Sequence, residues 1–275
     1  MQRLTILGLI VGGGLAVMTV FAQAPQPGAA AANAPRFPPV DSIDQVATNL
    51  YRVPGQGGNT AVWVRGDGVL LVDTKLENNG QAILDQVRKV TSKPITHIVN
   101  THTHGDHTGS NSFFPASVEV VTQANTAANM AKMPAFQSAE GKVGVPDRTF
   151  TDKLTLFSGR ESVDLYYFGA GHTNGDAFVV FRDVRVMHAG DIFATKGLPL
   201  LDVANGGSGV AIGDTLQKAA AGIRNVDRVI TGHSDTMTWQ DFVDYGEFNR
   251  LFLEHARTSR AAGKTAEQAA ADLKL

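Results

Sequence analysis

Three histidines and an aspartate fall within six consecutive positions of the segment "NTHTHGDHTGS", residues 100–110. The whole chain holds only eight histidines among 275 residues, so a chance grouping of this kind is improbable. The segment directly follows the β-rich run "ITHIVN". We therefore expect a strand to end here and to present imidazole and carboxylate groups at the edge of a sheet.

The spacing within the cluster suits metal binding. His102 and His104 are two residues apart in an extended segment, so both side chains can point the same way. Asp106 and His107 follow a glycine, which lets the chain turn beneath them. One tetrahedral zinc takes three protein ligands and a water, so four adjacent donors are more easily shared between two ions. The pattern predicts a two-metal site; the alternative is a polar turn with surface histidines.

Three further loops are built alike, and each follows a β-rich run. They read "GAGHTNGD", "HAGD" and "TGHS", and their metal-capable residues are His172, Asp191 and His233. Taken singly, each histidine is almost as well explained as a surface residue bonded to its own turn. Taken together with the cluster, the loops indicate convergence on one site. The chain has no cysteine, so any metal must be held by histidine and carboxylate.

The β-rich runs occur in two batches, and helical patterns follow each batch. The first batch includes "TAVWV", "VLLVD" and "ITHIVN", and a helical stripe is predicted over residues 80–92. The second includes "KLTLF", "VDLYYF", "AFVVF" and "VRVMH", and two closing helices are predicted to open at Thr238 and Thr265. This order favours two sheets packed face to face with helices outside.

The N-terminal segment is typical of an export signal. Residues 4–22 are apolar and free of charge, and the small residues Ala22 and Ala24 stand where a signal peptidase cleaves. We predict a signal peptide over residues 1–24, a Pro/Ala-rich linker over 25–40 and a folded domain over 41–275, which implies a periplasmic or secreted protein. The alternative is an uncleaved anchor, the only case in which we expect membrane contact.

Composition narrows the class of partner. The formal net charge of −2 gives no broad electropositive field, so we expect no nucleic-acid binding. A small-molecule substrate is the expected partner.

The four motifs in this order resemble the metallo-β-lactamase superfamily, over about residues 48–235. The resemblance implies an α+β fold, a four-layer αββα sandwich with the site at one edge of the two sheets. It implies that two Zn²⁺ ions are bound and that Asp191 bridges them. The first ion would be held by His102, His104 and His172, and the second by Asp106, His107 and His233.

The resemblance also implies a metal-dependent hydrolase. A metal-bridging hydroxide would attack the carbonyl of an ester, thioester, lactone or β-lactam, and Asp106 would orient it as a catalytic residue. A bridging aspartate is usual in the thioesterase and lactonase branches, whereas many zinc β-lactamases have a cysteine at that position. Two alternatives remain: an iron-dependent redox enzyme similar to persulfide dioxygenases, and a metal-storing or partner-binding module without turnover.

Several further residues receive an expected role. Lys196 and Asn205 stand where related hydrolases place a clamp for the substrate carboxylate and an oxyanion donor. Asp73 ends a strand and is expected either to orient a ligand imidazole or to serve as a turn residue. Asn59 is expected in a hairpin loop or a flap, and residues 130–148 and 194–209 are expected to line the pocket. The remaining histidines are not expected to bind metal: His97, His188 and His255.

Overall fold

The structure is a computed structural model that describes residues 37–274. The predicted signal peptide, residues 1–24, lies outside the described residues, as does the predicted linker up to residue 36. The described strands are β1 Asp44–Ala47, β2 Leu50–Val53, β3 Thr60–Val64, β4 Val69–Val72, β5 Ile95–Asn100, β6 Glu119–Gln123, β7 Arg148–Phe150, β8 Lys153–Leu156, β9 Val163–Tyr166, β10 Phe178–Phe181, β11 Val186–Gly190, β12 Arg228–Thr231 and β13 Met237–Thr238. The helices are α1 Gly80–Arg88, α2 Gly105–Thr108, α3 Ala124–Met130, α4 Ile212–Gly222, α5 Trp239–Ala261 and α6 Ala266–Asp272.

The strands form two mixed sheets. The first has the order β1-β2-β3-β4-β5-β6-β7, antiparallel from β1 to β4 and parallel from β4 to β7. The second has the order β13-β12-β11-β10-β9-β8, in which only β11 and β12 are parallel. The carboxyl ends of β5, β9, β11 and β12 carry the loops that hold the cluster and its companion motifs.

Side chains alternate between two cores along each strand. In β3, Ala61 and Trp63 pack between the sheets, whereas Val62 packs on the outer face with Ile83 and Val87 of α1. Side chains of the second sheet alternate in the same way. Ile230 packs between the sheets, whereas Val229 packs on the outer face against α4 and α5. Each fully buried aliphatic side chain contributes about 1.5–3 kcal/mol to folding. The order of layers is helix, sheet, sheet, helix, and the predicted α+β sandwich is confirmed.

The element boundaries differ from the sequence predictions at several points. Helix α1 ends at Arg88, and residues 89–91 continue only as turns bonded to Gln86 and Val87. Strands β1, β2 and β7 were not predicted, since they are short and lack a clear alternation. The predicted helix starts are confirmed, because Thr238 and Thr265 each form a capping box.

The N-terminal described residues pack on the domain. The carbonyl of Pro38 accepts a hydrogen bond of 2.8 Å from the amide of Gln56, and the ring of Phe37 stacks on His233. Ordered packing therefore begins before residue 41. Within residues 37–274 we find no helix with the length and apolarity needed to cross a membrane.

Candidate metal centre

A short helix after β5 displays the histidine cluster. His104 is the extended residue before α2, and its carbonyl accepts hydrogen bonds from the amides of His107 and Thr108. This turn sets His104 at one end of the helix and His107 within it. Gly105 has open space where a Cβ would lie, and its φ is not left-handed. The chain does turn after Gly105, and it does so through a helical start that does not require glycine.

The first group of donors comes from three separate segments of the chain. One ligand atom from each member lies within 4.8 Å of all the others, and the members are His102, His104, His172 and Asp191. Nε2 of His172 is 3.0 Å from Nδ1 of His104 and 3.8 Å from Oδ2 of Asp191. The loop after β5, the loop after β9 and the end of β11 therefore meet here.

The second group consists of Asp106, His107 and His233, again with one ligand atom each within 4.8 Å of the others. Nε2 of His107 is 3.3 Å from Nε2 of His233. Oδ2 of Asp106 is 3.3 Å from the same His233 nitrogen. The seven residues singled out by motif thus lie in two groups.

Asp191 lies between the two groups. It belongs to the first group, and its Oδ2 is 3.8 Å from Nε2 of His172. Its Oδ1 is 3.1 Å from Nε2 of His107 and its Oδ2 is 3.1 Å from Nε2 of His233, both in the second group. Burial alone would raise the pKa of Asp191, but the imidazoles of His107 and His233 outweigh burial and hold it well below its usual value. One carboxylate therefore supplies negative charge to both groups.

The outward nitrogens of three imidazoles donate to oxygen atoms, which leaves the inward nitrogens as acceptors when the imidazoles are neutral. Nδ1 of His107 donates to Oδ2 of Asp73 at 2.7 Å, and Nε2 of His104 lies 2.7 Å from Oδ2 of Asp202. Nδ1 of His172 donates to the carbonyl of Leu200 at 2.7 Å. Because these oxygens can only accept, each outward nitrogen carries a proton, and a neutral imidazole then turns its lone pair towards the centre.

His102 follows the same rule through a hydroxyl. Oγ1 of Thr101 donates to Asp73 at 2.7 Å, so it is left to accept from Nδ1 of His102 at 3.0 Å. Nε2 of His102 is then a buried acceptor that has no hydrogen-bond partner among residues 37–274. Such an orphaned buried nitrogen is costly in a protein interior unless a cation occupies its lone pair.

These observations match what a pair of zinc ions requires. Two nitrogens bound to one tetrahedral zinc at about 2.1 Å stand about 3.4 Å apart. The contacts of 3.0 Å and 3.3 Å between imidazole nitrogens are close to that spacing. The donor set of imidazole and carboxylate suits zinc and also iron. The residues therefore fit a dinuclear centre.

The surroundings of three donor histidines shift their pKa values in opposite directions in the two groups. Burial holds the pKa of His102 and of His172 below the usual value, which keeps both imidazoles neutral and able to coordinate. Burial also acts to lower the pKa of His107, but the carboxylates of Asp191 and Asp73 outweigh it and raise that pKa well above the usual value. Positive charge at His107 Nε2, whether from a proton or a metal ion, is thus favoured.

Asp73 belongs to neither donor group but forms a hydrogen bond with the donor His107. It has a left-handed φ of 64°, a conformation that aspartate tolerates better than most residues, and it is fully buried. Its Oδ1 accepts from the amide of Thr101 at 2.8 Å, while Oδ2 faces His107. The carboxylate therefore fixes the position of His107 relative to Thr101, which directly follows β5.

The other residues with an expected role lie farther out. Nζ of Lys196 is 2.6 Å from Oδ1 of Asp241, and Nδ2 of Asn205 donates to Oδ2 of Asp202 at 2.6 Å. Asn59 is buried and donates to the carbonyls of Thr231 and Ser234, so it braces the loop that carries His233. Three histidines belong to neither group: His97, His188 and His255.

Two residues that bond to the donor histidines were not predicted from the sequence. Thr101 stands directly before His102, and its position at the strand end could have suggested a supporting role. Asp202 lies in a loop without apolar periodicity, so no local pattern connected it with His104. A residue of this kind is found only when the chain is folded.

We predict that Asp202→Asn weakens metal binding. The variant removes the charge that orients His104 Nε2, and supporting carboxylates of this kind contribute about 10–100-fold to metal affinity. Competition with a chromophoric chelator measures the change. Asp227→Asn is the control, since Asp227 pairs with Arg185. Equal zinc affinity in Asp202→Asn and wild type would contradict the prediction.

Comparisons with known proteins agree with this arrangement. The family model of the metallo-beta-lactamase superfamily matches residues 54–241. Metallo-beta-lactamase IND-1 of Chryseobacterium indologenes is 26% identical over 178 residues, 64% of this chain and 72% of that protein. Metallo-beta-lactamase type 2 of Elizabethkingia meningoseptica is 24% identical over 218 residues, 78% and 82% of the two chains.

A solved structure supports the fold independently. The crystal structure of DIM-1 metallo-beta-lactamase aligns with a TM-score of 0.64 at 17% identity, over 78% of this chain and 99% of that chain. The family match covers all seven donors and spans more than half of the chain. From its motifs, its layers and this match, the chain belongs to the metallo-beta-lactamase superfamily.

Proposed function

We propose that this protein is an exported dinuclear zinc hydrolase that cleaves a carbonyl compound: an ester, a thioester, a lactone or a β-lactam. The single observation that carries the proposal is the pair of donor groups that share the Asp191 carboxylate. In the overall reaction, the hydroxyl of water is added to the carbonyl carbon and its proton goes to the departing oxygen, sulfur or nitrogen.

The proposal assigns each donor to an ion. His102, His104 and His172 would hold the first ion, and Asp106, His107 and His233 would hold the second. Asp191 would contribute to both sites. Zinc held by these residues would lower the pKa of a coordinated water to about 7 and polarise a carbonyl oxygen.

The residues of the chain supply orientation and proton handling. The Asp106 carboxylate is partly exposed, whereas Asp191 is buried, so Asp106 is the acid group that an incoming substrate can reach. We propose that Asp106 holds the attacking water by its Oδ2, accepts the proton that the water releases and passes it to the departing oxygen, sulfur or nitrogen. Asp73, Thr101 and Asp202 keep the imidazoles fixed, so little reorganisation is needed during reaction.

Export is part of the proposal and rests on the N-terminal sequence. The charge-free run at residues 4–22, followed by small residues, is typical of a signal peptide, and a chain without cysteine suits an oxidising compartment. N-terminal sequencing of the protein recovered from a periplasmic extract tests this part. A mature start near Pro25 supports export, and an intact Met1 in the membrane fraction supports an anchor.

The catalytic part is tested by metal exchange. The protein is purified without added metal, its metals are counted, and hydrolysis of a p-nitrophenyl ester, a thioester, a lactone and a cephalosporin is measured before and after chelation. We expect hydrolysis to disappear on chelation and to return with zinc. Hydrolysis that is indifferent to the chelator refutes the proposal. Stoichiometric iron with oxygen uptake favours the redox alternative, for which these donors are equally suited.

A further inference from the structure

The loop at residues 198–210 combines contacts to the metal centre with exposed apolar side chains. Leu200 is 68% exposed and Val203 is 76% exposed, although both are large and apolar. They flank Asp202, the residue whose carboxylate contacts His104. Exposed apolar groups that adjoin a site are more informative than isolated ones, because they mark surfaces that bind a partner or ligand.

The backbone of this loop is fixed against the donors. The carbonyl of Leu200 accepts from Nδ1 of His172, and the amide of Asp202 donates to the carbonyl of His172 at 2.9 Å. The amide of Ser208 donates to the carbonyl of Gly171 at 2.8 Å, which closes the loop over the segment before His172. Leu200 and Val203 are therefore held at set positions, and binding against them requires little ordering of the backbone.

His104, the donor that is partly exposed, contacts this loop through Asp202, which stands between Leu200 and Val203 in the sequence. His104 is partly exposed, with 29% of its side chain accessible, and Asp202 beside it is also partly exposed. His102 and His107 are fully buried. A substrate that approaches the first donor group at His104 therefore comes beside the loop that carries Leu200 and Val203.

The loop offers no cation to a substrate. Residues 198–211 include no lysine or arginine, and their one charged side chain is the carboxylate of Asp202. The nearest lysine in sequence, Lys196, forms an ion pair with Asp241 at the start of α5. An anionic substituent placed here would meet negative charge and apolar surface, whereas an alkyl group would bury its methylenes favourably.

We propose that Leu200 and Val203 form an apolar rim that binds the acyl chain of the substrate. The rim selects carbonyl compounds with an uncharged alkyl or aryl group over those with a carboxylate at the same position. This inference rests on the proposed hydrolase function and names the substrate class of that site.

The wild-type test uses p-nitrophenyl esters that share one leaving group. Complete burial of a methylene corresponds to about fourfold in kcat/KM, so partial burial of the four extra methylenes of hexanoate predicts at least about tenfold preference over acetate. p-Nitrophenyl valerate should be favoured about tenfold or more over the p-nitrophenyl ester of glutarate, in which a carboxylate replaces the terminal methyl.

The double variant Leu200→Ser with Val203→Ser tests the rim itself. We expect the ratio of kcat/KM for hexanoate to that for acetate to fall at least about fivefold, because serine offers little apolar surface. The control is Leu198→Ser, in the same loop and 65% exposed but facing a groove between α5 and α6. It should leave both the ratio and the acetate activity unchanged.

The outcomes separate the inference from the function on which it rests. Two results would contradict the proposed rim while leaving the hydrolase proposal intact. One is metal-dependent hydrolysis whose kcat/KM does not depend on acyl-chain length. The other is a hexanoate-to-acetate ratio of kcat/KM that is unchanged in the double variant. An equal loss of the ratio in Leu198→Ser also overturns the rim, because the effect would not be local. Absence of metal-dependent hydrolysis on every ester, thioester, lactone and cephalosporin overturns both.

Discussion

Asp191→Asn should lower bound zinc from about two ions per chain to one or fewer and reduce hydrolysis at least about a thousandfold, equivalent to about 4 kcal/mol of transition-state stabilisation. The carboxylate belongs to the first donor group, and its two oxygens lie 3.1 Å from His107 and 3.1 Å from His233 of the second group, so both donor groups depend on it. An amide keeps the shape but offers one acceptor oxygen and no charge.

The charge is the decisive loss. Asp191 is 5% exposed, and the pKa of its carboxyl is held well below the usual value, so it is ionised throughout the neutral range. Without it, two dications would be held together by one remaining carboxylate, that of Asp106, and by neutral imidazoles. Their mutual repulsion in a buried site is then poorly offset.

Metal analysis and kinetics on the same preparation check this expectation. The matched control is Asp235→Asn, two residues after His233, where the side chain is 93% exposed and pairs with Arg52. This control should bind two zinc ions and retain activity. An Asp191→Asn protein with two zinc ions and wild-type turnover would remove the basis for a shared carboxylate.

The arrangement of the donors was accessible from sequence because each motif follows a strand. Parallel neighbours such as β11 and β12 end at the same edge, so Asp191 and His233 necessarily approach each other. The same holds for β4 and β5, which bring Asp73 beside Thr101. Local patterns were sufficient here, since strand pairing converts sequence motifs into spatial neighbours.

The roles of Asp202 and Lys75 were not accessible in this way. Asp202 contacts His104 across 98 positions of the chain, from a loop whose path is set by backbone bonds to residues 171–174. Lys75 lies in "DTKL", which reads as a polar turn, and nothing in that pattern indicates full burial. Both depend on packing between distant segments, which no local pattern reports.

We expect a second large effect from replacing Lys75, and this effect is on stability rather than on activity. Its side chain is fully buried, and Nζ donates to the carbonyls of Val53 and Gly58 at 2.7 and 2.9 Å. These bonds tie the strand that ends at Val53 and the loop before β3 to the turn after β4. Burial lowers the pKa of Lys75 to about 7, with Asp73 opposing the shift and Arg52 adding to it.

The direction of the pH dependence follows from proton binding. Below about pH 7 the amine is protonated in both the folded and the unfolded chain, and the folded state bears the full cost of a buried charge. Between about pH 7 and 10.5, the ordinary pKa of lysine, the folded chain has released this proton while the unfolded chain retains it. Stability therefore rises with pH in this window, by about 1.4 kcal/mol per unit.

Urea unfolding of the zinc-loaded wild type and of Lys75→Met, from about pH 7.5 to about pH 9.5, isolates this contribution. Methionine fills the space without a titrating group but leaves two buried carbonyls without a donor, so the variant is destabilised by a few kcal/mol at the upper pH. The difference in unfolding free energy between wild type and Lys75→Met should grow by about 2–3 kcal/mol across the range. Lys218→Met, which alters an exposed side chain of α4, should show a constant difference. A difference for Lys75→Met that stays flat or shrinks as pH rises would mean that the buried amine keeps its proton in the folded chain.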